Sequence, residues 1–180
     1  MSFSPERYVD ALELAAEKHA AQKMPGTELP YLVHVVSVAA EVIASFVAET
    51  TIDEDLAVTC ALLHDTIEDT GTTRDELAVR FGEAVADGVS ALSKDANLPK
   101  AEQMADSLRR IRLQPREIWI VKLADRITNL AEPPAYWSRD KRVAYREEAI
   151  VIADALGSAS PGLEARIRQR ITDYARFFSH

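Results

Sequence analysis

The chain has 180 residues, of which 47% are hydrophobic and 28% are charged. These proportions are typical of a globular protein long enough to bury a sizeable core, and we expect one domain spanning residues 1–180. The net charge of −8 argues against a general nucleic-acid-binding protein, because phosphate backbones require a basic surface. A small phosphorylated ligand is still compatible with this charge, since a metal ion and a few local cations can bind it.

Cysteine content and hydropathy indicate the cellular location of the protein. Cys60 is the only cysteine, so an internal disulfide is impossible and a reducing cytoplasm is the expected location. The first twenty residues contain no long apolar run, and we therefore expect no signal peptide. No stretch approaches the ~18 consecutive apolar residues of a membrane span, so we expect no membrane partner.

Helical periodicity dominates the first half of the chain. Ser4 followed by Pro5 is typical of a helix N-cap with proline at the first helical position. The predicted elements are a helix from Pro5 to about Lys23, a loop from Met24 to Pro30, a helix from Tyr31 to Ala48, a helix capped by Asp53 that ends near Thr66, and a short helix from Thr73 to Phe81.

The second half is also predicted to be helical, which makes the expected fold an all-α bundle of about eight to ten helices. In the last helix Ile167, Ile171 and Tyr174 share one face, which predicts either packing within the chain or contact in a homo-oligomer. The predicted helices run from Gly82 to Ser93, from Lys100 to Leu113, from Pro115 to Leu130, from Lys141 to Leu156 and from Gly162 to Phe178.

One short segment concentrates acidic side chains around a histidine. His64, Asp65, Glu68 and Asp69 lie within six residues, directly after an apolar run. On a continuous helix, residues three or four apart lie on one face, about one turn from each other. Three carboxylates so close repel one another unless a cation or shared protons relieve them. A divalent metal is the simplest explanation, and a His-Asp pair supplies ligands suited to Mn, Fe or Zn.

Two further positions offer matching ligands. His34 lies near the start of the second predicted helix, and Asp125 lies in a strongly apolar helix that we expect to be central. An aspartate there is costly unless it is paired or bound to a metal. Lys122 and Asn129 share the face of Asp125, at three and four residues from it. The four candidate ligands are His34, His64, Asp65 and Asp125, two nitrogens and two oxygens for one cation.

Taken singly, these residues have simpler interpretations. His34 beside valines resembles an ordinary core histidine, and Asp125 next to Arg126 resembles a surface ion pair. A His-Asp dipeptide occurs by chance. The prediction of a metal site therefore depends on the combination.

The combination resembles the HD-domain metal-dependent phosphohydrolases, and most closely the branch that hydrolyses guanosine tetra- and pentaphosphate, (p)ppGpp. The similarity extends from about Tyr8 to Leu156, and the His-Asp-x-x-Glu-Asp element together with Lys-Leu-Ala-Asp-Arg is its most specific part. Four stretches carry the resemblance: Gly26–His34, Leu62–Thr70, Asn97–Lys100 and Val121–Leu130.

The resemblance implies an all-α HD-domain fold and one divalent metal, usually Mn²⁺, with Fe, Zn or Mg as alternatives. It implies that His34, His64, Asp65 and Asp125 hold this metal and that pyrophosphate is removed from the 3′ position of (p)ppGpp. Only His19 and His180 remain as other histidines, so one metal is expected rather than two. Glu68 and Asp69 match carboxylates that position or activate the attacking water. The candidate substrate-binding residues are Lys23, Tyr31, Lys122 and Asn129.

The first loop departs from this branch. Met24-Pro25 stands where an Arg-Lys pair is usual, and in the branch the arginine helps to hold the guanine. Two alternatives therefore stay open. The protein is either a phosphohydrolase for another nucleotide or small phosphate ester, or a catalytically silent nucleotide-binding module.

Overall fold

The protein is described here by a computed structural model that covers residues 3–48 and 51–179. Within these ranges the regular structure is helical, apart from an isolated antiparallel bridge between Lys23 and Pro30. The expected all-α fold is confirmed. The ten α-helices are α1 (Pro5–Lys18), α2 (Leu32–Ser45), α3 (Glu54–Leu63), α4 (Thr66–Thr70), α5 (Arg74–Phe81), α6 (Glu83–Leu92), α7 (Lys100–Ile111), α8 (Arg116–Asn129), α9 (Arg139–Leu156) and α10 (Pro161–Tyr174).

Side-chain caps fix several helix starts where the sequence predicts them. Ser4 accepts a hydrogen bond from the backbone N–H of Arg7 and precedes Pro5 at the first position of α1. Asp53 caps α3 in the same way. At α5, Thr73 and Glu76 form a reciprocal capping box. Each cap satisfies backbone N–H groups that have no partner inside the helix.

Two central helices form the middle of the core. All residues of α3 from Leu56 to Leu63 are buried, and α8 is buried continuously from Ile120 to Ile127. These two helices pack against each other and against α2, and α1 also packs against α3. The interface of α2, α3 and α8 also contains buried polar side chains, and buried polar groups require hydrogen-bond or ionic partners. They include His34, His64, Lys122 and Asp125.

Helix α3 ends before its predicted boundary because side chains compete for the carbonyls at its C-terminal end. Helix α3 stops at Leu63, since His64 Nδ1 bonds the carbonyl of Ala61 at 2.8 Å and Thr66 Oγ1 donates to the carbonyl of Leu63 at 2.7 Å. Those carbonyls are the ones a continuing helix would use. The chain turns at Asp65 and resumes as α4, a separate helix that the sequence pattern did not predict.

The first helix also ends early. It stops at Lys18 rather than about Lys23, and His19 forms its C-cap, with its backbone N–H bonded to Ala15. The following chain is held by backbone bonds instead: Gln22 N–H donates to the carbonyl of His19, and Tyr31 N–H donates to the carbonyl of Gln22, both at 2.9 Å. Residues 19–31 are therefore a fixed turn and loop between α1 and α2.

The apolar face of α10 packs inside the chain. Ile167, Ile171 and Tyr174 are all buried, and α10 packs against α8 and α9. The stripe is thus internal packing, the first of its two predicted interpretations. Over residues 3–48 and 51–179, none of the helices combines the length and apolar character needed to cross a membrane.

Candidate metal centre

Three helices bring two histidines and one aspartate together. His34 lies in the first turn of α2, His64 directly follows α3, and Asp125 lies in α8. The Nε2 atoms of His34 and His64 are 3.3 Å apart, and Asp125 Oδ1 is 3.5 Å from the first and 3.7 Å from the second. One ligand atom from each residue lies within 4.8 Å of the others, and all three side chains are buried. This cluster of His34, His64 and Asp125 could hold a metal ion.

Neighbouring groups orient the ligand atoms. His64 Nδ1 faces the carbonyl of Ala61 at 2.8 Å, and a carbonyl can only accept, so Nδ1 carries the proton. The lone pair of neutral His64 is then on Nε2, which faces the cluster, as in histidines that bind metals. Asp125 is held by two residues of its own helix: Lys122 Nζ donates to Oδ2 at 3.0 Å and Asn129 Nδ2 donates to Oδ1 at 2.6 Å.

Asp65 lies at the edge of the cluster. Its Oδ2 atom is 3.0 Å from His64 Nε2 and 3.7 Å from His34 Nε2. The same oxygen accepts a hydrogen bond from the hydroxyl of Tyr31, whose ring lies 5.1 Å from the His34 ring. Asp65 therefore faces both imidazole nitrogens, and Tyr31 lines the site as a partner of this carboxylate.

The charges of the cluster shift its pKa values. Burial disfavours a charged His64, but the carboxylates of Asp65 and Asp125 outweigh burial and raise its pKa to about 9. Burial opposes ionisation of Asp125, yet the ammonium of Lys122 together with His34 and His64 outweighs burial and holds the pKa of Asp125 well below its usual range. Burial, reinforced by Asp65, raises the pKa of the Tyr31 hydroxyl. The cluster thus holds ionised carboxylates where a cation can approach.

The two remaining carboxylates of the acidic segment, Glu68 and Asp69, have hydrogen-bond partners outside the cluster. Glu68 and Asp69 lie on α4 and are exposed. Glu68 Oε2 accepts from the backbone N–H of Lys94 at 2.8 Å, and Asp69 Oδ2 accepts from Gln22 Nε2 at 2.9 Å. Each of the three carboxylates has its own hydrogen-bond partner, because the helix break after α3 separates Glu68 and Asp69 from Asp65, and relief of all three by a cation stays a prediction.

The predicted substrate-binding residues lie in different surroundings. Lys23 is exposed and forms an ion pair with Glu28 in the first loop. Lys122 is buried, and both it and Asn129 donate to Asp125. The structure therefore brings Tyr31, Lys122 and Asn129 to the cluster, whereas Lys23 belongs to the loop beside it.

The simple interpretation of Asp125 as a surface partner of Arg126 is wrong. Arg126 is buried, donates to Glu148 at 2.7 Å, and lies over the ring of Tyr145 with its guanidinium carbon 4.2 Å from the centroid. Asp125 instead pairs with Lys122.

Sequence reasoning missed two residues next to the site. His19 is buried, and its Nδ1 lies 2.6 Å from Gln22 Oε1, while Gln22 Nε2 reaches Asp69. The sequence did indicate that His19 is buried, because it continues the apolar stripe of α1, and Gln22 follows it three residues later. The other histidine outside the candidate ligands, His180, lies beyond the described residues.

The cluster fits a divalent metal chemically. Two imidazole nitrogens and a carboxylate oxygen converge in a buried site, and such mixed nitrogen and oxygen sets bind Mn, Fe or Zn. The donor set does not select one of these metals. Fold and site together therefore define an all-α protein with a histidine–aspartate centre.

The chain belongs to the HD domain family, whose family model matches residues 11–154. It is 34% identical over 166 residues to a zebrafish (Danio rerio) guanosine-3′,5′-bis(diphosphate) 3′-pyrophosphohydrolase, MESH1, covering 89% of this chain and 90% of the relative. The human (Homo sapiens) MESH1 is 31% identical over 173 residues, covering 93% and 94%. Among solved structures, a metazoan ortholog of SpoT that hydrolyses ppGpp matches with a TM-score of 0.83 and 25% identity, covering 96% of this chain and 98% of that one.

Proposed function

We propose that this protein is a metal-dependent phosphohydrolase that removes pyrophosphate from the 3′ position of (p)ppGpp. The observation that carries the proposal is the convergence of ligand atoms from His34, His64 and Asp125 in a buried site. Relatives that match along nine tenths of their length are named as 3′-pyrophosphohydrolases of guanosine-3′,5′-bis(diphosphate), which supports the choice of substrate.

The proposed cofactor is one Mn²⁺ ion held by His34, His64, Asp65 and Asp125. Asp65 is included because its Oδ2 faces the same two nitrogens as Asp125. When bound, a divalent cation neutralises phosphoryl oxygens and lowers the pKa of water near it. Two acidic ligands match the hard character of Mn²⁺, and the two imidazoles suit Fe and Zn as well.

Glu68 and Asp69 are the proposed catalytic carboxylates. One of them accepts a proton from the attacking water, whose oxygen forms a bond to the phosphorus attached to the ribose 3′ oxygen. The bond between that phosphorus and the ribose oxygen breaks, the ribose oxygen takes up a proton, and pyrophosphate leaves. Exposure of both carboxylates on α4, directly after Asp65, is what supports this role.

Tyr31, Lys122 and Asn129 act in this proposal mainly through the metal ligands they contact. Tyr31 donates to Asp65, while Lys122 and Asn129 fix Asp125. Lys23 is the proposed phosphate contact from the first loop, which requires release from Glu28. An exposed ion pair of this kind is worth at most about 1 kcal/mol, so a phosphate can displace Glu28.

The test is turnover of a nucleotide panel by the Mn²⁺-loaded protein, with ppGpp, pppGpp and ordinary nucleotides assayed side by side. We expect GDP and pyrophosphate from ppGpp, with both products strongly reduced in Glu68→Ala and Asp69→Ala variants. Metal analysis of the purified protein, with a His64→Ala variant as control, measures whether the cluster binds the ion. A protein that takes up no metal and turns over no nucleotide would contradict the proposal.

The first loop favours a second candidate, a phosphohydrolase for a different nucleotide. Met24-Pro25 provides no cation for a guanine base, and the neighbouring Lys23 is paired with Glu28. Hydrolysis of another panel member without turnover of ppGpp would favour this candidate. A Met24→Arg/Pro25→Lys variant would then be expected to gain ppGpp turnover if the loop sets the difference.

A further inference from the structure

A buried histidine and a glutamine connect the end of α1 to the acidic helix α4. His19 is 2% exposed, and its Nδ1 lies 2.6 Å from Gln22 Oε1. Gln22 Nε2 donates to Asp69 Oδ2 at 2.9 Å. None of the described groups donates to Asp69 Oδ1, so the two oxygens of this carboxylate differ in their surroundings.

Hydrogen-bond chemistry fixes the direction of this chain of contacts. An ionised carboxylate only accepts, so Gln22 must turn its NH₂ group toward Asp69. The amide oxygen of Gln22 then faces His19, which must carry a proton on Nδ1. His19 Nε2 is buried and has no partner among the described residues, so neutral His19 keeps its lone pair there.

The same histidine also packs against Tyr31, which contacts the cluster through Asp65. The His19 ring lies 4.9 Å from the ring of Tyr31, and the Tyr31 hydroxyl donates to Asp65. Tyr31 is also fixed through its backbone, because its N–H donates to the carbonyl of Gln22. One short turn, residues 19–22, therefore contacts Tyr31, the partner of Asp65, and bonds Asp69 directly through Gln22.

We propose that Gln22 and His19 are positioning residues that hold the Asp69 carboxylate with Oδ1 directed to the attacking water. Gln22 acts on Asp69 directly, and His19 acts through Gln22 by fixing the orientation of its amide. The inference rests on the proposed function, in which Glu68 or Asp69 accepts a proton from the attacking water, and it gives that role to Asp69. It assigns catalytic importance to two residues outside the proposed metal ligands, catalytic carboxylates and substrate contacts.

The first experiment is a double-mutant cycle on kcat for ppGpp hydrolysis with Gln22→Leu and Asp69→Asn. Gln22→Leu is expected to lower kcat by about 10- to 100-fold, the range for removing an outer partner in a catalytic site, with a much smaller change in KM. In the Asp69→Asn background the same substitution should lower kcat little further, since the effects of substituting residues that act as a unit are not additive. Equal losses in both backgrounds would overturn the inference.

A matched control comes from a hydrogen bond of the same type on a helix outside the site. Gln169 Nε2 donates to Asp173 Oδ1 at 2.9 Å on the exposed surface of α10. Gln169→Leu removes the same type of hydrogen bond and should leave kcat and KM unchanged. If it lowers kcat as much as Gln22→Leu does, the effect is general destabilisation and the inference fails.

Two substitutions at His19 separate packing from hydrogen bonding. His19→Phe keeps a ring against Tyr31 but removes the N–H donor, whereas His19→Asn keeps a donor close to the position of Nδ1. We expect the phenylalanine variant to lower kcat and the asparagine variant to recover most of it. The opposite order would show that His19 acts by volume alone and would overturn its assigned role.

An NMR measurement tests the inferred hydrogen-bond direction independently of enzyme activity. The ¹⁵N shifts of the His19 ring should report a proton on Nδ1 in the unmodified chain and a redistribution toward Nε2 in Gln22→Leu. A proton on Nε2 in the unmodified chain would overturn the inferred hydrogen-bond direction. If the unmodified protein hydrolyses no nucleotide, the proposed function fails; if it is active but the cycle is additive, only this inference fails.

Discussion

Lys122 and Asp125 form a buried ion pair one turn apart on α8. The Lys122 ammonium is 3.0 Å from Asp125 Oδ2, and both side chains are about one tenth exposed. A buried carboxylate needs such a partner, because removing one member of a buried pair leaves an uncompensated charge. A metal ion at the cluster would be a second source of positive charge for the same carboxylate.

Replacing Lys122 with methionine should therefore have different costs with and without metal. In metal-free protein we expect a loss of about 3 kcal/mol in the free energy of unfolding, typical of a broken buried pair. The loss should be smaller in Mn²⁺-saturated protein, where the cation compensates Asp125. Urea unfolding of both forms measures the difference, and an equal loss in both would contradict it.

An exposed pair with the same spacing is the control for this experiment. Asp106 and Arg109 are also three residues apart, and the Arg109 side chain is 67% exposed. Arg109→Met should cost less than about 1 kcal/mol, because solvent screens exposed pairs.

The KM of Lys122→Met also tests the predicted substrate contact, since a direct contact would raise KM beyond any effect on metal binding.

Cys60 is a second residue whose behaviour follows from burial. Its side chain is fully buried in α3, and burial raises the pKa of its thiol above the usual range. Since the thiolate is the reactive form, native protein at pH 8 should not react with a disulfide reagent such as DTNB. In guanidinium chloride one thiol per chain should react at once. Rapid labelling of the native protein would contradict the buried position.

Among the elements, α6 approaches α3 and α8 closely because of a glycine. A Cβ atom placed on Gly88 would lie 2.5 Å from Cδ1 of Ile118 and 3.1 Å from the sulfur of Cys60. Ile118 is itself fully buried in the core, where close packing resists displacement of its methyl group. The packing of three helices therefore depends on the missing side chain at this position.

Gly88→Ala should destabilise the protein by about 1–3 kcal/mol through overpacking, although alanine favours helix. Thermal unfolding measures the loss. Ile118→Val removes the clashing methyl group, so the double variant should be more stable than the sum of the single effects predicts. Additive losses would show that Gly88 and Ile118 do not share this space.

Gly162 provides the control for the glycine substitution. A Cβ atom there would meet nothing closer than the hydroxyl oxygen of Ser160 at 3.9 Å. Gly162→Ala should leave stability unchanged or raise it by up to about 1 kcal/mol, because alanine has the higher helix propensity. A loss equal to that of Gly88→Ala would contradict the packing explanation.

At the scale of the whole molecule, the candidate metal centre joins helices that are distant in the sequence. His34 on α2, His64 after α3 and Asp125 on α8 meet only when these helices are packed. An unfolded chain does not offer the three ligands together, so a metal should bind the folded state preferentially.

Mn²⁺ should therefore raise the melting temperature. At a free concentration about 100 times Kd the gain is about 2.7 kcal/mol, or roughly 5–10 °C for a chain of this size. A His34→Ala variant should lose this shift, whereas Gln169→Leu should keep it. Differential scanning calorimetry with and without EDTA measures the effect, and a shift that survives in His34→Ala would place the ion elsewhere.

The sequence alone determined the helical fold and the identity of the cluster. Apolar periodicity and the caps at Ser4, Asp53 and Thr73 are local properties, so they could be recognised without tertiary structure. His34, His64 and Asp125 were predicted from their combination, a His-Asp pair in an acidic segment with a second histidine and an aspartate in an apolar helix. Asp65 as a fourth ligand and Glu68 and Asp69 as catalytic groups stay predictions.

Tertiary structure decided what the side chains contact. The break between α3 and α4 depends on side chains that bond helix-end carbonyls, a competition that residue spacing does not reveal. Gln22 reaches Asp69 across 47 positions in the sequence, and no local pattern encodes such a bond. The residue types that the sequence supplies thus determined the chemistry, whereas long-range packing of α1, α3, α4 and α8 determined which atoms face one another.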